Sequence, residues 1–299
     1  MILLSGASGY LGRHVISQSA PGKLITAARQ IEPVHPQFVH FPSRDELDIR
    51  SLPWDRIQGV INVANRVKGN ESQLDDANVE FAIKLATAAR SAGVRRFVQV
   101  SSFSVFGCTE TIGRKSPVLP NTAYGRSKLK CELSLIALCG PDFEAVSVRL
   151  PFMFDDLHPS FLGQLLRFCA NFSILPSTAL GVQRSMMTFD DAAKTLLYVL
   201  ADHQKGQINA ASPGFFDYQL LARLIREEAC RSLKIFTVPN PIVAGTNKIM
   251  PGVHRRLFQS SILRPEDNMA STVPDIVGIE PTLRQLVRRY YGTTETHIC

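Results

Sequence analysis

Short apolar runs alternate with segments of helical periodicity along the first half of the chain. The runs are rich in β-branched residues, are apolar at nearly every position, and cover residues 1–5, 23–27, 37–41, 59–64, 96–102 and 145–150. Strands that are buried on both faces of a parallel sheet have this pattern. The longest segments between them, 72–93 and 123–140, carry apolar residues at helical spacing and end in glycine. This alternation predicts an α/β protein with a doubly wound parallel sheet.

The pattern loosens after residue 150, where connections rich in proline and phenylalanine, such as PFMFDDLHPS, separate the apolar segments. We therefore expect residues 1–150 to form the sheet domain. Residues 151–299 should form mainly a smaller, mostly helical C-terminal lobe. One later segment, RSMMTFDDAAKTLLYVLA, again has a regular helical pattern. We expect residues 186–210 to return to the sheet domain.

The composition fits a folded protein that acts on a small molecule. Of 299 residues, 45% are hydrophobic and 20% are charged, which excludes disordered and fibrous classes. The formal charge of +7 is spread along the chain, so we expect no nucleic-acid partner; a generally basic surface or an anionic substrate accounts for it. No apolar run approaches the roughly 20 residues of a membrane span, and the N-terminus lacks the pattern of a secretion signal. We expect a cytoplasmic protein without membrane insertion.

Metal binding is not expected from the cysteine and histidine positions. The six cysteines lie far apart without a C-x-x-C pair, and the seven histidines show no ligand spacing. The sequence therefore predicts no metal site.

A glycine-rich turn follows the first predicted strand directly. The glycines of SGASGYLG have G-x-x-G-x-x-G spacing at the point where a strand passes into a helix. Glycines there let the backbone approach a pyrophosphate, whose charge the helix N-terminus stabilises. The loop predicts a dinucleotide site, with close packing of helix on sheet as the alternative reason for the glycines. The expected cofactor contacts in this loop are Gly6, Ser8, Gly9, Tyr10, Leu11 and Gly12.

The end of the second predicted strand bears on the choice of dinucleotide. An acidic residue there would bind the ribose 2′-hydroxyl of NAD and repel a 2′-phosphate. The sequence reads LITAARQ, without a carboxylate and with Arg29, whose guanidinium can pair with the 2′-phosphate of NADP. We expect NADP rather than NAD, with an ordinary surface charge as the alternative for Arg29.

Several motifs in a fixed order make the chain resemble the extended short-chain dehydrogenase/reductases, the NAD(P)-dependent epimerases, dehydratases and reductases of nucleotide sugars. The resemblance covers nearly the whole chain and includes SGASGYLG, ELDI, VINVAN, SSFSVFG, NTAYGRSK and VRLPFMF. It implies that residues 1–150 form an NAD(P)-binding Rossmann domain and that the C-terminal lobe binds the substrate. It also implies cofactor contacts at Asp48 and Ile49 of ELDI, at Ala64 of VINVAN and at Asn78.

Tyr124 and Lys128 of NTAYGRSK are four residues apart and would share one face of a helix. A phenol, with a pKa of about 10, is a poor base at neutral pH unless a nearby cation favours its phenolate. The resemblance implies that Lys128 supplies this cation and binds the nicotinamide ribose, and that Tyr124 transfers the proton. It implies that Ser102, with Ser101 as competitor, hydrogen-bonds the substrate oxygen. Tyr124 and Lys128 are thus both catalytic and cofactor contacts, with a solvated surface pair as the alternative.

Three arginines are expected to bind the substrate. RSMMTFDDAAKTLLYVL resembles the family segment in which an arginine precedes a strand and a helix begins at an aspartate pair. The resemblance implies that Arg184 binds the diphosphate of a nucleotide sugar, assisted by Arg255 or Arg256 of VHRRLF. The alternative for Arg255 and Arg256 is a solvated pair. Phe106 departs from the family, which commonly has tyrosine there, so one hydroxyl near the expected substrate is missing.

Three functions remain open. The first is NADPH-dependent reduction of a 4-keto-deoxysugar nucleotide, which Arg29 favours. The second is a nucleotide-sugar 4-epimerase with tightly bound NAD, which would need no added hydride source. The third is a non-catalytic, dinucleotide-binding regulatory protein of the same fold, although the retained tyrosine and lysine argue against it. A homodimer is compatible with all three.

Overall fold

The structure is a computed structural model that describes residues 1–29, 39–42, 46–157, 161–178, 181–250, 254–255 and 257–292. Its strands are β1 (Ile2–Ser5), β2 (Leu24–Ala28), β3 (Val39–Pro42), β4 (Gly59–Asn62), β5 (Arg96–Ser102), β6 (Thr111–Ile112), β7 (Glu144–Leu150), β8 (Phe152–Phe154), β9 (Ile174–Ser177), β10 (Met186–Thr188), β11 (Gln207–Asn209), β12 (Lys234–Thr237) and β13 (Ile262–Leu263). Its helices are α1 (Tyr10–Ser17), α2 (Glu46–Arg50), α3 (Glu71–Asp75), α4 (Phe81–Ser91), α5 (Ala123–Ile136), α6 (Phe161–Phe172), α7 (Phe189–Ala201), α8 (Tyr218–Ala229), α9 (Asn240–Ile249) and α10 (Ile279–Tyr291). Among these helices, none is both long and apolar enough to cross a membrane.

Seven strands form one sheet in the order β3-β2-β1-β4-β5-β7-β11. Every neighbouring pair runs parallel, which confirms the predicted α/β class with a doubly wound sheet. The chain order reverses at β1, because β2 lies on one side of it and β4 on the other. The edge strand β11 comes from the chain after residue 150 and pairs with β7. Residues 37 and 38 of the third predicted run lie outside the described residues.

Side chains of the strands alternate between two buried apolar layers. Leu3 of β1 packs in one layer with Leu85 of α4 and Leu135 of α5. The next residue, Leu4, packs in the other layer with Leu196 of α7. The runs in the sequence are continuously apolar because helices cover both faces of the sheet. Burying one such side chain contributes about 1.5–3 kcal/mol, so the two layers are the main source of stability.

A third apolar cluster holds the C-terminal lobe together. It is formed mainly by side chains of α6, α8 and α10. Ion pairs add to the contact between α8 and α10, where Arg284 lies 2.6 Å from Glu228. The lobe therefore has its own packed interior beside the sheet.

His14 on α1 connects the sheet domain with the start of the lobe. Its Nδ1 atom lies 2.8 Å from Oδ1 of Asp190 at the beginning of α7, and its Nε2 atom lies 3.1 Å from Oδ2 of Asp155 after β8. The imidazole also stacks on Phe189, with ring centroids 5.4 Å apart. One side chain thus joins α1, α7 and the segment that leads into the lobe.

Glu132 and Arg149 form a buried ion pair between α5 and β7. Arg149 Nη2 lies 2.6 Å from Glu132 Oε2, and the two side chains are only 11% and 1% exposed. Ser101 of β5 donates a hydrogen bond to the same carboxylate, and the ring of Phe106 packs 5.0 Å from the guanidinium. Phe106 is itself buried. The position where the family commonly has tyrosine therefore lies in the interior of this chain.

We expect Glu132→Gln to lower the free energy of unfolding by about 3–5 kcal/mol, because it leaves the Arg149 charge buried and unpaired. Urea denaturation at neutral pH measures the change. Asp75→Asn is the matched control, since it also converts a carboxylate to an amide. It breaks the exposed ion pair between Asp75 of α3 and Lys130, which lies on α5 like Glu132. Equal losses in the two variants would contradict the role given to burial.

Candidate active site

A cleft of about 660 Å³ opens at the carboxyl ends of β1, β2 and β4. This is the place where the strand order reverses, and open parallel sheets bind their ligands at such a point. The cleft is lined by Ser5 to Gly9 after β1, by the end of β2 and by the segment 63–66 after β4, although Ala7 is not part of the lining. Among the described residues, no group of three His, Cys, Asp or Glu side chains could hold a metal ion.

The three loop glycines differ in what surrounds them. Gly6 has φ +83°, and a Cβ atom there would lie 2.5 Å from the backbone nitrogen of Ala64. At Gly12 a Cβ atom would lie 2.4 Å from the carbonyl oxygen of Gly6. Both positions need glycine for close packing, which was the alternative reason for the motif. A Cβ atom at Gly9 would meet only the Gly6 oxygen, at 3.4 Å, so Gly9 leaves space on the side of the cleft.

The start of α1 fits the pyrophosphate of a dinucleotide. Gly9 is the residue before the helix, where no side chain makes a capping hydrogen bond, and the first turn carries no acidic residue. The first amides of a helix lack intrahelical partners and carry a partial positive charge. An anion approaching Gly9 would therefore meet backbone donors without meeting a side chain.

The other expected contacts of the cofactor loop lie in different surroundings. Ser8 lines the cleft. Tyr10 is 43% exposed and stacks on Phe189, with ring centroids 6.0 Å apart. Leu11 packs in the apolar layer between the sheet and α7. Tyr10 and Leu11 are thus not among the described residues that line the cleft.

Arg29 and Ala64, which the sequence analysis proposes as cofactor contacts, line the cleft together with Ala28 at the end of β2. Asp48 and Ile49 lie on α2 and are not among the described residues that line it. Ile49 is buried in the apolar layer on the α4 side of the sheet. Of these four candidates, Arg29 and Ala64 therefore lie at the cleft and Ile49 lies in the core.

Ser101 and Ser102 at the end of β5 have different partners. Ser101 is buried and donates to Glu132. The Ser102 hydroxyl caps the 3-10 turn Phe103–Phe106 by accepting a hydrogen bond from the backbone of Ser104. The buried ion pair thus occupies Ser101, which favours Ser102 as the serine that meets a substrate.

Tyr124 and Lys128 lie on the first turns of α5, which begins after Thr122. The Thr122 side chain accepts a hydrogen bond from the Gly125 amide and so fixes the start of the helix. The Lys128 side chain is 1% exposed, donates to the carbonyl oxygen of Val100 at 3.0 Å, and holds its ammonium 5.7 Å from the centroid of the Tyr124 ring. The two side chains occupy adjoining space, as their spacing of four predicts.

Gly125 lets the first turn of α5, which carries Tyr124, pack against the 3-10 turn that follows Ser102. A Cβ atom at Gly125 would lie 2.4 Å from the carbonyl oxygen of Ser104. Any larger residue would push α5 away from the turn that follows Ser102. Gly125 therefore sets how closely α5 approaches the turn after β5, and no sequence pattern indicated this role.

Two asparagines connect the cleft wall to α5. Asn78, in the π-helical turn Asp76–Glu80, binds both backbone groups of Arg66 and donates to Ser127 at 3.1 Å. Asn65 lines the cleft and donates to the hydroxyl oxygen of Tyr124 at 3.2 Å. Asn78 thus contributes by holding the wall, and no sequence pattern indicated the contact of Asn65.

The two described residues among the predicted substrate arginines, Arg184 and Arg255, lie in different surroundings. Arg184 donates to the carbonyl oxygens of Gln259 and Arg255 at 2.9 and 3.0 Å. Burial lowers the pKa of Arg184, and nearby Tyr218 opposes this shift. Arg255 is exposed, whereas Arg256 lies outside the described residues. Arg184 therefore has a direct structural role in fixing the backbone around residues 255–259.

Comparisons with known proteins identify a family and several solved structures that resemble the chain. The model of the NAD dependent epimerase/dehydratase family matches residues 2–211. A UDP-glucose 4-epimerase of Rhizobium meliloti is 28% identical over 152 residues, which are 45% of this chain and 45% of that protein. The solved UDP-glucuronic acid 4-epimerase of Bacillus cereus, in complex with NAD, superposes with a TM-score of 0.71 at 16% identity over 97% of this chain and 99% of that one. A dTDP-4-dehydrorhamnose reductase of Clostridium acetobutylicum superposes with a TM-score of 0.70 at 20% identity over 96% and 98%.

The solved structures, at these identities, show a shared fold. The chain spans about half the length of the curated relatives it matches. The family match is broader, since it runs from β1 to just beyond β11 and includes the glycine loop, Ser102, Tyr124 and Lys128. The chain belongs to the NAD dependent epimerase/dehydratase family.

Proposed function

We propose that the chain is an oxidoreductase of nucleotide sugars that uses NADPH to reduce the 4-keto group of a deoxysugar. The observation that carries the reaction class is the arrangement of α5 against the end of β5. It holds a tyrosine hydroxyl and a buried lysine beside a cleft that fits a dinucleotide. When bound, the nicotinamide ring supplies the hydride for the carbonyl carbon.

The chain's own groups handle the carbonyl oxygen. Ser102 donates a hydrogen bond to it, which stabilises the negative charge that develops during reduction. Tyr124 donates the proton that the oxygen finally carries. Lys128 is buried, so its charge acts on the phenol through a poorly solvated region. When a dinucleotide is bound, Lys128 would also hold its nicotinamide ribose.

Arg29 supports NADPH as the reductant. It follows β2 and lines the cleft where a ribose 2′-phosphate would lie, and no carboxylate stands at the end of that strand. A guanidinium pairs with phosphate through two parallel hydrogen bonds, which a 2′-hydroxyl cannot match. The preference for NADPH follows from this single side chain.

The substrate class is supported by the relatives together with the basic charge of the chain. The reductase from Clostridium acetobutylicum and the two epimerases are named for sugars linked to UDP or dTDP. A diphosphate is an anion that arginines bind well. We place its site near the exposed Arg255, with Arg184 holding the backbone of that segment.

A 4-epimerase with tightly bound NAD is the second candidate, because the Rhizobium meliloti relative carries that name and the Bacillus cereus neighbour is in complex with NAD. The two functions differ in whether the purified protein retains a bound dinucleotide. Mass spectrometry of the denatured protein after purification identifies the bound dinucleotide. Retained NAD and sugar interconversion without added reductant would favour the epimerase, whereas consumption of NADPH by a 4-keto nucleotide sugar would favour the reductase.

We expect Arg29→Ala to remove most of a preference for NADPH over NADH, by weakening NADPH about 10–100-fold through the loss of a charge-assisted contact. Fluorescence titration with each dinucleotide measures the affinities. Arg13→Ala is the matched control, since Arg13 lies on α1 and is exposed but does not line the cleft. Equal affinities of the unaltered protein for NADPH and NADH would contradict the proposal.

We expect Gly9→Val to abolish dinucleotide binding in a folded protein, because the added side chain occupies space that the protein leaves open on the cleft side. Gly12→Ala should instead destabilise the fold, since its Cβ atom would overlap backbone. Thermal melting with and without dinucleotide separates the two effects. A Gly9→Val protein that is still stabilised by dinucleotide would remove this loop from the site.

We expect Tyr124→Phe to lower the rate of reduction by about 10²–10⁴-fold while dinucleotide affinity survives, since the phenol acts mainly on the substrate oxygen during the reaction. Lys128→Ala should reduce both, and Ser102→Ala should reduce the rate by about 10²-fold. Single-turnover reduction of a panel of 4-keto nucleotide sugars measures the rate.

Ser101→Ala is the matched control, and we expect it to affect stability more than chemistry, because Ser101 contacts Glu132. An unchanged rate in Tyr124→Phe would refute the mechanism in favour of another acid, and binding without turnover would favour a regulatory protein.

A further inference from the structure

The hydroxyl of Tyr124 has a hydrogen-bond donor among the residues that line the cleft. The side-chain nitrogen of Asn65 donates to the phenol oxygen at 3.2 Å. Asn65 is exposed and lines the cleft, whereas Tyr124 is half-buried at the start of α5. Lys128 reaches the tyrosine only through its ring, because its described hydrogen bond goes to Val100. The phenol oxygen therefore has its described hydrogen bond with Asn65.

The backbone on both sides of Asn65 is fixed. On one side the Ala64 amide donates to Oδ1 of Asn62, whose own side chain donates to Gln99 inside the sheet. On the other side Asn78 binds the amide and the carbonyl of Arg66 at 2.8 and 2.9 Å. A fixed backbone leaves only the side-chain rotations of Asn65 to be ordered by its hydrogen bond. The protein thus sets the backbone from which the Asn65 amide reaches Tyr124 before any ligand binds.

The direction of this hydrogen bond has chemical consequences for a proton donor. A phenol oxygen carries one hydrogen and can accept through its lone pairs. Because the amide of Asn65 occupies an acceptor position, the phenol hydrogen stays available to a second partner in the cleft. Once that hydrogen has left, the same amide bonds to a charged oxygen, and such bonds are stronger than those between neutral groups.

We propose that Asn65 is a positioning residue for Tyr124, which directs the phenol hydrogen toward the substrate and stabilises the phenolate that remains. The inference rests on the proposed function of Tyr124 as proton donor. It adds a residue from the segment after β4 to a set that otherwise comes from β5 and α5. Asn65 acts through the tyrosine and needs no contact of its own with the substrate.

The test measures the ionisation of Tyr124 in the protein without dinucleotide or substrate. Tyrosine labelled with ¹³C at the ζ carbon gives one signal for each residue, and the signal missing from Tyr124→Phe identifies Tyr124. We expect Asn65→Ala to move the pH midpoint of this signal upward by about 0.5–1 unit, since it removes a donor that favours the charged form. Asn65→Asp should move it further upward, because a carboxylate opposes a neighbouring phenolate.

Asn121→Ala is the matched control. Asn121 is an exposed asparagine three residues before Tyr124, but its amide donates to Sγ of Cys108 at 3.0 Å. We expect no change of the midpoint in this variant. An Asn65→Ala midpoint equal to that of the unaltered protein, or an Asn65→Asp midpoint that falls, would overturn the inference.

The titration needs no turnover, so its result is separate from that of the kinetic test. A raised midpoint in Asn65→Ala supports the inference even where no nucleotide sugar is reduced, and in that case the proposed function alone fails. Where turnover is measurable, the pH profile of the rate should shift upward in Asn65→Ala by the same interval. A lower rate with an unshifted profile would show a merely structural role and would contradict the inference.

Discussion

The register between α5 and β5 determines where Ser102, Tyr124 and Lys128 lie relative to one another. Three successive turns of the helix contact the strand and the turn that follows it: Gly125 packs on Ser104, Lys128 donates to Val100, and Glu132 accepts from Ser101. Each contact depends on a different property, namely the lack of a side chain, a buried ammonium and a buried carboxylate. A helix held at three points along its length cannot slide or rotate, so Tyr124 keeps one position relative to Ser102.

The shape of the cleft depends on the contacts that the loops after β1 and β4 make with each other and with α5. Gly6 lets the backbone of the first loop pass close to Ala64, and Asn78 ties the second loop to α5 through Arg66 and Ser127. The two loops and the helix therefore form one rigid wall. Rigid positioning of this kind costs little when a ligand binds, because the groups are already ordered.

The sequence predicted the inner strands β1, β2, β4, β5 and β7 well because they bury both of their faces, a property that appears at nearly every residue of the run. It also predicted the helix with Tyr124 and Lys128 and the approach of Arg29 to the cleft. It could not predict that Arg184 binds the carbonyl oxygens of Arg255 and Gln259, or that Asn65 reaches Tyr124. These contacts join residues 59–75 positions apart, and nothing in the local pattern of either partner depends on the other. The sequence led us to expect that residues 186–210 return to the sheet domain, but it did not indicate the strand β11 within them, since three residues carry too little pattern.

The strand β11 also makes the sheet indivisible along the sequence. A polypeptide cut at residue 150 would leave β7 as an open edge, with a row of unpaired amides and carbonyls, and would lose the α7 side chains that cover one face of the sheet. Such a fragment would be prone to pair with other chains and to aggregate. The ribosome must therefore deliver more than 200 residues before the sheet can close, and until then the nascent chain exposes an apolar face that a chaperone would recognise.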